Sequence, residues 1–166
     1  LMIKTLRADI GVMITASHNT YEYNGLKFFN GDGYKLSPKI ENKVENLILN
    51  QKLYSKITNP SVILGKARRL EDAPGRYSEF LKNCLSRKFI KKKLKIVLDC
   101  ANGATYNIAP NLFWELGHNV IAINNNPDGL NINEKCGAVY TKSLSHNVVR
   151  HKADIGFAFD GDGDRL

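Results

Sequence analysis

"LKIVLDCANGATYNIAPNLFWELGHNVIAIN", residues 94–124, sets two short apolar runs on either side of one helix-length segment, and that order decides the fold class. Residues 94–100 predict a strand that closes on Asp99, and "ANGATY" reads as a turn into a helix. Ala109, Leu112, Phe113 and Leu116 fall on one side of that helix, Gly117 ends it, and "NVIAIN" at 119–124 predicts the next strand. The unit is β-α-β, whose usual crossover is right-handed with parallel strands. Further on, a short helix over 144–150 and a third strand over 154–160 ("DIGFAFD") continue the alternation of a doubly wound, layered α/β domain.

Upstream, Tyr77, Phe80, Leu81, Cys84 and Leu85 repeat at i, i+3, i+4, i+7 and i+8, which predicts a helix facing a core. Before it, "NPSVILGKARRLEDAPG" loses all periodicity and carries two prolines and two glycines, so a domain boundary is placed there: residues 1–60 form a first domain, 61–72 a linker and 73–166 a second domain. The first part opens with a buried strand over 10–15 ("IGVMIT"), a second over 26–29 and an "NGDG" turn at 30–33. Ser37 and Pro38 then read as an N-cap and first-turn proline, and Ile40, Val44, Leu47 and Ile48 predict a helix over 38–49.

The 166 residues suffice to bury a core, and no stretch approaches the roughly 18 apolar residues of a membrane helix. The opening "LMIKTLRADIGV" lacks a signal-peptide core, and Cys84, Cys100 and Cys136 are odd in number and far apart, so a reducing, cytoplasmic setting is expected. The net charge of +8 is spread, with one dense run, "KKKLK", at 91–95. A nucleic-acid binder would need clustered basic residues interleaved with stacking aromatics, which the sequence does not show, whereas a phosphorylated small molecule also suits a positive field. Neither nucleic acid nor membrane is expected as a partner.

The chemistry concentrates in two stretches. In "DGDGDRL" at 160–166, Asp160, Asp162 and Asp164 alternate with glycines directly after a strand, where ligands gather in layered sheets. Three carboxylates so close call for a positive partner, and hard oxygen ligands suit Mg²⁺ or Ca²⁺. An EF-hand is excluded because its sixth position is Arg165 where glycine is needed. In "GVMITASHNTYEYNGLKFF" at 11–29, an apolar strand empties into Ser17, with His18 and Lys27 as nearby cationic or proton-transfer groups. Ser17 is either a turn residue or a group activated by a base or metal, or one that already carries a phosphoryl group; no GxSxG elbow, P-loop or GxGxxG is present.

"TASHN", "NGLKFF", "GDGYKL" and "DGDGDR" together resemble the α-D-phosphohexomutase family, and "DAPGRY", "VLDCANGATY" and "NPDGLNINEKCGA" resemble its amino-sugar branch. The resemblance covers nearly the whole chain, as the end of a first and most of a second domain, and implies layered α/β domains with mixed sheets, an incomplete first domain being followed by a βαβ second one. It implies that Ser17 is a phosphoserine, that Asp160, Asp162 and Asp164 hold Mg²⁺ together with a phosphate oxygen on Ser17, that Lys27 is a proton acceptor, and that His18 and Arg165 lie at the site. The implied substrate is a phosphosugar, a hexosamine phosphate, with glucose or mannose phosphate as the alternative, and the full-length enzyme is expected as a homodimer. A degenerate piece that binds metal without turnover is the competing expectation. Thr20 stands where the family's serine loop has proline, Ala138 and Val139 depart after Cys-Gly, and the family's Glu-x-Ser-Gly-His and Arg-x-Ser-Gly-Thr loops do not occur in the sequence.

Overall fold

The computed structural model describes residues 1–50, 65–85 and 92–166. Two compact units divide the chain, one of Leu1–Met13 with Lys27–Ala73 and one of Ile14–Leu26 with Pro74–Leu166. Of the stretch read as a linker, 61–64 fall outside the described residues, and 65–72 are exposed without helix or strand. In the dense basic run, Lys91 also falls outside, and Lys92 and Lys93 are exposed.

The opening elements are α1 (Met2–Leu6), β1 (Ile10–Thr15), β2 (Gly25–Asn30) and α2 (Pro38–Leu49), with β1 and β2 paired in a two-stranded sheet. After β2 the chain reverses at 30–33, Tyr34 donating its backbone N–H to the Asn30 side-chain oxygen (2.9 Å), and Phe29 and Lys35 bridge antiparallel. Ser37 is the N-cap of α2 and Pro38 its first-turn residue, as their chemistry predicts. The cap is made by the Ser37 carbonyl, which accepts from Ile40 and Glu41, and not by its hydroxyl.

The expectation that the strand over 10–15 is buried is corrected here. Ile10, Val12 and Ile14 of β1 are 54–74% exposed, and α2 has no buried residue, with Ile40 and Ile48 both exposed. Apolar periodicity identified both elements and the face that wants cover, but a two-stranded sheet supplies no second layer for it.

The second unit holds α3 (Ala73–Cys84), β3 (Lys95–Asp99), α4 (Ile108–Glu115), β4 (Asn119–Ile123), α5 (Lys142–Arg150) and β5 (Ile155–Ala158). The sheet order is β4-β3-β5, all parallel, with Lys95 opposite Asn119 and Ile96 opposite Ile155. β3 is central and fully buried from Ile96 to Asp99, which is why it reads as a continuous apolar run instead of an alternation. Side chains alternate between two covered faces: Phe157 stacks on Phe113 of α4 (5.7 Å between ring centroids), while a Cβ on neighbouring Gly156 would meet Leu144 and Val148 of α5. Ile96, Leu98, Cys100 and Ala109, with Leu94, Phe113, Val120, Phe157 and Phe159 against them, form the core. The stripe of α3 is half-covered: Tyr77 and Phe80 are exposed, and Tyr77 and Leu81 line a groove of about 430 Å³ against α4.

Antiparallel and parallel pairing both occur, and the layered α/β class stands. Among the described residues no helix is long and apolar enough to cross a membrane. Cys100 and Cys136 are buried, and burial pushes both thiols up to about 11, so they are protonated and unreactive at neutral pH.

Candidate active site

Two fully buried carboxylates mark the carboxyl ends of β3 and β5: Asp99 ends β3, and Asp160 follows β5 by two residues. Asp99 Oδ1 accepts the Ala101 N–H (3.0 Å) and shapes the turn after β3. Asp160 Oδ1 accepts the backbone N–H groups of Asp164 and Arg165 (3.1 Å each), which curls residues 160–165 into a tight loop. Gly163 sits at the bend with φ +74, where a side chain would be strained.

This curl brings one oxygen each of Asp160, Asp162 and Asp164 within 4.8 Å of one another. Asp160 Oδ2 is buried without a hydrogen-bond partner, and Arg165 Nε reaches it only at 4.0 Å. Burial pushes the Asp160 carboxyl above its ordinary range; the Arg165 backbone N–H pulls it back, and the charges of Asp162 and Asp164 push it further up. A buried acceptor oxygen left without a donor, beside two more carboxylates, fits a hard divalent cation.

The serine loop belongs to the same unit. Thr15, the last residue of β1, donates from its hydroxyl to Asp162 Oδ2 (3.1 Å) and accepts the Ser17 N–H (2.8 Å), so a single side chain links the acid loop to the serine backbone. Ser17 itself has φ 54, a left-handed conformation costing a non-glycine residue on the order of 1–2 kcal/mol, and the surrounding contacts must hold it there. Asn133 supplies two of them: its Nδ2 donates to the carbonyls of Ser17 (2.9 Å) and Asn19 (2.7 Å).

His18 Nδ1 lies 2.8 Å from Arg165 Nη1 and 3.5 Å from Ser17 Oγ. A guanidinium can only donate, so Nδ1 is the acceptor and the ring proton belongs on Nε2. With its Nδ1 lone pair engaged, His18 is poorly placed as a base for the serine hydroxyl; it offers an N–H instead. Arg165 Nε also stands 3.8 Å from Asp164.

Ser17, His18, Asp160, Asp162, Asp164 and Arg165 thus all lie in one compact unit, and Lys27 lies half-buried on β2 in the other. Thr15, Asn133 and Gly161 were not among the expected site residues. Gly161 is needed for close approach: a Cβ there would meet the Ser17 carbonyl oxygen at 2.5 Å and Asn133 Nδ2 at 2.6 Å. Its other neighbour is Gly103, whose own missing Cβ would strike the Gly161 backbone. Two glycines at a buried strand end, "NGA" and "DGDG", are the trace such packing leaves in a sequence.

Residues 1–55 match the family model described as phosphoglucomutase/phosphomannomutase alpha/beta/alpha domain I, and residues 75–166 match alpha/beta/alpha domain II. Phosphoglucosamine mutases of Syntrophus aciditrophicus and Coxiella burnetii are 49% and 50% identical over 165 residues, which is 99% of this chain and 36% of each relative. The chain therefore spans about a third of the length of these curated relatives. A solved phosphoglucomutase/phosphomannomutase family protein from Burkholderia thailandensis superposes with a TM-score of 0.72 at 26% identity, over 95% of this chain and 32% of that one. An N-acetylphosphoglucosamine mutase from Aspergillus fumigatus shares the fold at a TM-score of 0.58 and 21% identity, over 99% of this chain and 45% of that one. With its second-domain model covering more than half the residues, and a serine loop, an acid loop and a parallel sheet that agree, the chain belongs to the phosphoglucomutase/phosphomannomutase family.

Proposed function

We propose that the full-length protein interconverts glucosamine 6-phosphate and glucosamine 1-phosphate in the cytoplasm, with Ser17 as phosphoryl carrier and Mg²⁺ held by Asp160, Asp162 and Asp164 and by a phosphate oxygen on Ser17. The observation that carries this reading is the hydroxyl of Thr15, which joins the serine backbone to a loop where the carboxylates of Asp160, Asp162 and Asp164 converge. The names of relatives about 50% identical favour the amino-sugar substrate over glucose or mannose phosphate. The same reading keeps residues 1–60 and 73–166 as parts of two domains joined by 61–72, and a homodimer as the assembly of the full-length enzyme.

In this mechanism the bond between phosphorus and Ser17 Oγ breaks as one forms to a sugar hydroxyl oxygen, giving a sugar bisphosphate. The sugar hydroxyl proton passes to Lys27, the acceptor that the family resemblance implies, and is given back to the sugar oxygen released when the second phosphorus–oxygen bond breaks. The bisphosphate then returns its other phosphoryl group to Ser17. His18 Nε2–H and the Arg165 guanidinium serve as donors to phosphoryl oxygens, since transfer of this kind depends on positioning and on neutralising charge. Mg²⁺ held by Asp160, Asp162 and Asp164 would supply that neutralisation at the acid loop and offset the burial and like-charge repulsion that raise the Asp160 carboxyl.

A coupled assay of the full-length protein with glucosamine 6-phosphate, Mg²⁺ and a sugar bisphosphate should show turnover on the order of 10 per second. No turnover with that substrate, together with turnover on mannose or glucose phosphate, would reassign the branch. The 166-residue stretch expressed alone should show none, because the phosphosugar-reading loops named above do not occur in it.

Metal binding is tested separately. Asp162→Asn removes one anionic ligand while keeping an acceptor for the Thr15 hydroxyl, so Mg²⁺ affinity by calorimetry should fall by at least about 10-fold with the melting temperature nearly unchanged. Equal affinity in both proteins would remove the acid loop from the metal site.

A further inference from the structure

We infer that Asn133 is a positioning residue for Ser17: it acts on the chemistry by holding the serine loop through its side-chain amide, without touching substrate. This rests on the reading of Ser17 as the phosphoryl carrier. Asn133 is 5% exposed and lies 116 residues from Ser17 in the chain, yet its side-chain nitrogen donates to two carbonyls of the serine loop, Ser17 at 2.9 Å and Asn19 at 2.7 Å. A primary amide has two hydrogens, so both are used and the group's orientation is fixed. The residue is itself anchored, since its backbone N–H donates to the Ala101 carbonyl (2.9 Å) in the turn after β3. It also stands in the left-handed conformation (φ 56), which asparagine tolerates better than most residues.

The geometry has a direct consequence for the serine. Ser17 is held at φ 54 by one bond to its N–H, from Thr15, and one to its carbonyl, from Asn133. With both peptide groups flanking the Cα fixed, the direction of the Cα–Cβ bond is fixed too, before any substrate arrives, and Oγ is confined to the staggered positions about it. Losing the Asn133 bond frees the carbonyl side alone. The serine remains present and phosphorylatable, while its phosphoryl group is no longer aimed. Such a residue is read out in kcat, with substrate binding left alone. The stretch "NPDGLNINEKCGA", which resembles the amino-sugar branch, thereby acts on the phosphoryl carrier.

The test uses the full-length protein with Asn133→Asp and Asn133→Gly. Both keep a residue tolerant of the left-handed backbone and remove the two donors; the aspartate also sets a carboxylate against the two carbonyls. Each should lower kcat roughly 100-fold with KM for the phosphosugar nearly unchanged, and should shift the phosphorus NMR signal of phosphorylated Ser17. In the wild type, the Asn133 side-chain amide signals should shift when Ser17 is dephosphorylated, a measurement that needs no variant to fold. Wild-type kcat in folded variants, or Asn133 signals indifferent to the state of Ser17, would overturn the inference. A wild-type protein without mutase turnover would instead overturn the reading beneath it, so the two failures are distinguishable.

Discussion

Ser17→Ala in the full-length protein should abolish the covalent phosphate and lower turnover by roughly 10³-fold or more, the scale seen when a covalent carrier is removed. Stability should change by about 1 kcal/mol or less. The small cost follows from the structure: the bonds that place the loop run through the Ser17 N–H and carbonyl, which alanine retains, and the hydroxyl stands at a long 3.5 Å from His18 Nδ1. A serine that served only as a turn residue would give the opposite pattern, with turnover kept. Intact mass, thermal melting and the coupled assay on both proteins separate the two.

Gly161→Ala is expected to combine a large loss of activity with a measurable loss of stability. The added methyl group would lie 2.5 Å from the Ser17 carbonyl oxygen, 2.6 Å from Asn133 Nδ2 and 2.9 Å from Ile132 Cδ1. One of these is backbone and one is a side chain with both hydrogens bonded, so the serine loop itself has to move away from the acid loop. Overpacking of this kind costs about 1–3 kcal/mol, and a displacement near 1 Å at the carrier costs roughly 100-fold in rate. Gly163→Ala is the control. It strains the bend at φ +74 and crowds the Thr105 methyl, so it should destabilise without lifting the serine loop as directly. Equal rates for Gly161→Ala and the wild type, by the same assay, would show that the close approach is unimportant.

The elements of the second unit were legible because local patterns coincide with tertiary burial there. The run 94–100 reads as a strand, and β3 is indeed the central, fully buried one; the Ala109 and Phe113 side of α4 is the side that meets the core. In β1 and α2 the same patterns located the elements, but β1 was expected to be buried and is not, since an apolar pattern reports which face seeks cover and carries no information on whether a layer is there. The acid loop and the serine were visible from residue type and spacing. Thr15 and Asn133 were not, because their work is done by hydrogen bonds to residues 147 and 116 positions away, for which no local pattern exists. The two glycines of "DGDGD" look alike in the sequence but serve differently: positive φ occurs at Gly163, whereas Gly161 is required by what packs against it.

The central claim is that Ser17 carries the phosphoryl group that moves. It is tested most directly by incubating the full-length protein with labelled sugar bisphosphate and Mg²⁺ and locating the label by peptide fragmentation. The account predicts label on the peptide containing "TASHN", at Ser17, chased off again by unlabelled hexosamine phosphate as bisphosphate forms. Label at another residue, or steady turnover with no covalent label at all, would contradict it.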